Sequence, residues 1–76
     1  MDPRSKRLIR CFRAVFPQLT DAEVMRASTR RTSGWDSVAT VNLIAAIEEE
    51  FGLEFAADEI EYLNSYEALA TRLGQD

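Results

Sequence analysis

The strongest constraint on this chain is the apolar run over residues 38–51, which repeats at helical spacing. On a wheel of about 100° per residue, Thr40, Leu43, Ile44, Ile47 and Phe51 share one side, the expected core face. Val38, Asn42, Ala45 and Glu49 share the other and are expected to face solvent. Asp36 is a good N-cap and Gly52 stands where the helix must stop. Ser37 falls in the first turn, near the boundary of the two faces.

The remaining segments read as helices too. Asp2-Pro3 opens a first helix as N-cap and first helical position. Its residues Leu8, Phe12, Val15 and Phe16 make one apolar stripe, and Pro17 ends it. Thr20-Asp21-Ala22-Glu23 is a capping box, which predicts a short helix over 21–28 with Ala22, Val24 and Met25 as its apolar members. A polar loop runs from Ser28 to Gly34. Leu53-Glu54-Phe55 reads as an extended link, and residues 57–62 as a brief third helix with Ile60 and Leu63 inward. Asn64-Ser65-Tyr66-Glu67 reads as another capping box, with Asn64 in the Ser/Thr role. The last helix is expected from about Ser65 to Leu73, burying Tyr66, Leu69 and Leu73, with Gly74 as its stop. No strand pattern competes. The expected fold is all-α: one domain over residues 1–76, a small four-helix bundle of three longer helices and a short third one.

Composition narrows the function. With 76 residues, the chain has too thin a core for an enzyme-sized cavity. It has no His, so the commonest zinc ligand and general base is missing. Its single cysteine, Cys11, lies on the apolar stripe of the first helix and reads as a small buried hydrophobe. No catalytic residue and no metal site are expected. No apolar run approaches the roughly 20 residues of a membrane span, and the polar, basic N-terminus has no apolar segment of a signal peptide. The expectation is a soluble cytoplasmic monomer.

Charge is unevenly placed. Residues 1–31 hold eight basic and three acidic side chains, a balance of +5, whereas residues 32–76 hold one and ten, a balance of −9. The basic segment shares its helix with a core stripe and has no interleaved stacking aromatics, which argues against nucleic acid. The acidic remainder would attract basic patches on partner proteins and repel phosphate polymers.

Ser37 is the candidate working residue. A hydroxyl at a helix N-terminus lies beside unpaired backbone N–H groups and the positive end of the dipole, which suits an esterified phosphate. Asp36, next to it, offers a carboxylate to a divalent metal held by a modifying enzyme. The stretch Gly34-Trp35-Asp36-Ser37-Val38, the helix after it and its end Glu48-Glu49-Glu50-Phe51-Gly52 resemble the signature of acyl carrier proteins. Phe55, Asp58-Glu59-Ile60 and Tyr66-Glu67-Ala68-Leu69 sit where that family has its acidic third helix and its closing helix. The resemblance covers roughly residues 30–73, and the first helix by pattern alone.

The resemblance implies an acyl-carrier-like bundle that catalyses nothing. It implies that a phosphopantetheinyl transferase esterifies Ser37 with 4′-phosphopantetheine from coenzyme A, and that the arm holds an acyl or aminoacyl group as a thioester. Partners would be that transferase, an acyl- or aminoacyl-activating enzyme and downstream transferases. Val38, Asn42, Ala45, Glu48 and Glu49 would form the docking face; Leu43, Ile47, Leu63 and Leu69 would line an acyl-chain pocket. Val38 replaces the family's usual Leu or Met, and either docks or packs under the preceding loop. Ala39 and Asn42 stand where fatty-acid carriers have acids, and the first helix is unusually basic. Trp35 reads as a structural cap on the bundle. These departures resemble specialised stand-alone carriers more than a housekeeping fatty-acid carrier. An aminoacyl or peptidyl carrier and an unmodified helical interaction module are the competing expectations.

Overall fold

The computed structural model describes residues 3–74. Pro3 begins α1 (Pro3–Val15), where its fixed φ suits a helix and its missing N–H is no loss. The expected N-cap, Asp2, lies outside the described residues. Phe16 N–H still donates to Phe12 at 2.7 Å before Pro17 turns the chain. α2 (Asp21–Met25) carries the full capping box: Thr20 Oγ1 accepts from Glu23 N–H at 3.2 Å, and Glu23 Oε1 accepts from Thr20 N–H at 2.8 Å.

α2 is shorter than the expected 21–28. Its continuation pairs elsewhere: Tyr66 N–H donates to Ala27 O and Thr29 N–H to Asn64 O, each at 3.0 Å. These bonds flank an isolated antiparallel bridge between Ser28 and Ser65, which draws residues 27–29 out of the helix. Val24 is fully buried, but Met25 is 40% exposed and Ala22 is exposed, so one of the three expected apolar members of α2 is in the core.

α3 (Ser37–Phe51) is the longest helix. Asp36 Oδ1 caps it by accepting from Ala39 N–H at 2.9 Å. Gly52, at φ 66°, closes it in the left-handed region and donates to Glu48 O at 2.9 Å. α4 (Ala57–Ile60) is one turn and not the expected 57–62, because the chain tightens into three-residue turns, Tyr62 N–H to Glu59 O and Leu63 N–H to Ile60 O. α5 (Tyr66–Leu73) is capped by Ser65, whose Oγ accepts from Ala68 N–H at 3.0 Å. The expected box with Asn64 as cap does not form, since the Asn64 carbonyl is held in the bridge to Thr29 and Glu67 falls one place too early.

Among the described residues there are five helical segments and no strand beyond that bridge. Three helices have eight residues or more and two are single turns, so the described residues hold five helical segments and not the expected bundle of four. α1 is the hub and packs on α2, α3 and α5. Its Phe12 is fully buried, with ring centroids of Trp35 at 5.5 Å, Tyr66 at 5.6 Å and Phe16 at 6.4 Å. Leu8, Leu43, Ile47 and Leu69 complete this core. The core face of α3 is as the periodicity predicts for Leu43, Ile44 and Ile47; Thr40 and Phe51 are half-buried at its edges.

Candidate functional site

Ser37 is the first residue of α3 and is exposed. Helix geometry leaves the N–H groups of the first turn without carbonyl partners inside the helix. Asp36 takes up one of them, that of Ala39. The N–H groups of Ser37 and Val38 remain at the positive end of a 15-residue helix, whose first residue is Ser37. Asp36 is itself exposed, one oxygen being used in the cap. A phosphate ester at Ser37 fits here: the residue is exposed and the helix N-terminus favours an anion, against which the neighbouring Asp36 carboxylate is the one acidic side chain at this end of α3.

A groove of about 340 Å³ opens beside Ser37. It runs between the first turns of α3 and the α4 region, bordered by Thr40, Val41, Ala57, Ile60, Leu63 and Asn64. Its walls are mainly apolar, with Glu61 on the rim. Val41 was not singled out from the sequence, yet it is 67% exposed and follows Ser37 by one helical turn. The signal was available in that spacing of four residues.

The other sequence-predicted residues divide by burial. Val38 is 68% exposed, so it does not pack under the preceding loop. Asn42, Ala45 and Glu49 are exposed with it along one side of α3. Ala39, in contrast, is buried and contributes nothing to that surface. Glu48 is half-buried, and its Oε2 accepts from Phe55 N–H at 2.8 Å. Leu43, Ile47, Leu63 and Leu69 are all buried. Of these four, Leu63 borders the groove next to Ser37, while the other three sit in the packed core. Trp35 is 5% exposed and seals the end of the bundle against Phe12 and Phe16.

α4 is tied down electrostatically. Arg72 Nε lies 2.7 Å from Glu59 Oε1, and the guanidinium stands over the Phe55 ring at 5.3 Å. Glu59 Oε2 also accepts from Ala56 N–H at 2.8 Å. The hydrogen bond from Arg72 and then that from Ala56 hold the Glu59 carboxyl below its ordinary value of 4.5.

The described residues thus form a small helical bundle with an exposed serine at the start of its longest helix, which Asp36 caps. Residues 30–73 match the family model of the phosphopantetheine attachment site. That match spans more than half of the chain, which therefore belongs to the phosphopantetheine-attachment family of carrier domains. Such a domain is the site of covalent 4′-phosphopantetheine attachment. No curated protein matches the chain significantly. No helix among the described residues is long and apolar enough to cross a membrane.

Proposed function

We propose that this chain is an acyl carrier protein whose arm is esterified to Ser37. The carrying observation is the exposed Ser37 hydroxyl at the N-terminus of α3, inside the matched residues. In the transfer, Ser37 Oγ gives up its proton to the transferase and bonds the phosphorus that bears pantetheine in coenzyme A. The phosphoanhydride bond breaks and adenosine 3′,5′-bisphosphate leaves. Asp36 stands ready to share the metal ion of the transferase, as its exposed position allows. When bound, the arm supplies a terminal thiol that carries an acyl or aminoacyl group as a thioester.

Val38, Asn42, Ala45 and Glu49 give α3 a mixed apolar and polar outer face for the transferase, the activating enzyme and the acceptor enzymes. Leu63, at the groove beside Ser37, is the entry point for an acyl chain toward Leu43, Ile47 and Leu69. The absence of acids in the first turn of α3, together with a basic α1, favours a dedicated carrier with few partners over a general fatty-acid carrier.

Intact-mass spectrometry after incubation with coenzyme A and a broad-specificity transferase tests this reading. One arm per chain is expected, and none on Ser37→Ala. An unmodified chain beside a fully modified reference carrier overturns it. Loading the product with fatty-acyl and with amino-acid activating enzymes then separates the two kinds of cargo.

A further inference from the structure

Three residues flanking Ser37 are joined through one hydroxyl. Trp35 Nε1–H donates to Thr40 Oγ1 at 2.9 Å. Thr40 Oγ1 in turn donates to the carbonyl of Asp36 at 3.0 Å, and that same carbonyl accepts Thr40 N–H at 2.9 Å. The bonds span the serine, from the two residues before it to the residue three after it. The indole is anchored in turn, edge-on against Phe12 at 5.5 Å and tilted against Phe16 at 5.8 Å. Trp35 N–H also donates to Thr32 O at 3.2 Å, which fixes the incoming loop.

We propose that Trp35 and Thr40 form a clasp that sets the orientation of Ser37 for arm transfer, acting as positioning residues. The proposal rests on the reading of Ser37 as the attached residue. A serine in the first turn of a helix is ordinarily free to fray with that turn. Here the turn is tied to the aromatic core of α1 through the indole, so the hydroxyl is offered from a fixed backbone. The Thr40 hydroxyl is the joint because its one proton goes to Asp36 while its lone pair takes the indole proton. Without it, an N–H on a nearly buried ring has no partner, and the ring must shift to find one.

The test is steady-state kinetics of the transferase on Thr40→Val, Thr40→Ser, Trp35→Phe and Ser37→Ala, with Ile9→Val as a core deletion about two helical turns before Phe16. Thr40→Val should lower kcat about tenfold, with KM changed by less than about twofold because the outer face of α3 is intact. Thr40→Ser should restore the rate. Trp35→Phe keeps an aromatic ring against Phe12 and Phe16 but deletes the donor, and should match Thr40→Val; it decides the matter if Thr40→Val does not fold. The single tryptophan gives an independent readout: its emission should shift to the red in Thr40→Val and not in Ile9→Val. Wild-type kcat in Thr40→Val and Trp35→Phe overturns the clasp. So does a loss of rate that Ile9→Val reproduces at equal loss of thermal stability. If Ser37→Ala is modified at the wild-type rate, it is the reading of Ser37 that fails, and the clasp with it.

Discussion

Glu48 and Phe55 are joined across the end of α3: the carboxylate Oε2 accepts from the Phe55 backbone N–H at 2.8 Å. This bond pins the link between α3 and α4 while Phe55 drops its ring into the core. Glu48 thus has work inside the fold, whatever it also does at the surface. Glu48→Ala should cost about 1–2 kcal/mol, the range of a hydrogen bond to a charged acceptor with part of it exposed. Glu48→Gln, which keeps an oxygen acceptor, should cost less than half of that. Urea titrations with unchanged m-values measure both. If neither moves the midpoint, the bond contributes nothing. Docking by α3 is therefore better probed at Glu49, which is exposed and makes no such bond.

Gly52 isolates a backbone effect. At φ 66° it adopts the left-handed conformation, and a Cβ placed there meets no atom within 4 Å. Gly52→Ala should therefore destabilise by conformational strain alone, about 1 kcal/mol. Gly52→Asn should cost less, because Asn tolerates that region. Thermal unfolding of the two variants checks the order, and an alanine variant as stable as the parent would contradict it.

These local devices were legible because each needs only neighbours in the chain. Asp36 capping Ala39, the Thr20–Glu23 box and Gly52 as terminator follow from residue type and spacing. The misread boundaries were settled by distant partners. α2 stops early because Ala27 and Thr29 pair with Tyr66 and Asn64, some 35 to 39 residues away. The same pairing makes Ser65 the cap of α5 in place of Asn64. For the site, Ser37 and the exposed side of α3 could be placed by periodicity. The groove at Val41 and the Trp35–Thr40 bond could not, since they depend on where α4 and the indole come to rest.

Acid should loosen α4 through Glu59. Its carboxyl titrates below 4.5, held down first by Arg72 and then by the Ala56 N–H. A group whose folded value is depressed stabilises the fold fully above its unfolded value, and the contribution is lost as pH falls through the folded value. Glu59→Gln should therefore flatten the fall in stability between about pH 6 and about pH 3. Some slope should persist, because the Glu23 carboxyl is likewise lowered, chiefly by its bond to the Thr20 backbone. Denaturant midpoints across that range test the point; a parallel pair of curves would refute it.

Cys11 makes the arm chemically countable. It is the one cysteine of the chain, buried, with its sulfur 3.8 Å from the Ala46 carbonyl. Burial raises its thiol above the ordinary value of 9.0, the Glu50 carboxylate adds to that, and Arg10 and Arg7 oppose it. The thiolate is the reactive form, so at neutral pH Cys11 should resist alkylation in the native fold and react when the chain unfolds. Before transfer of the arm, iodoacetamide at about pH 7.5 should therefore label the native protein slowly, at the rate of global opening. After transfer, one thiol should react fast, and denaturant should reveal a second. Cys11→Ala should retain the fast thiol and lose the slow one. Rapid labelling of the unmodified native chain would show that the α1–α3 seam opens far more readily than its packing implies.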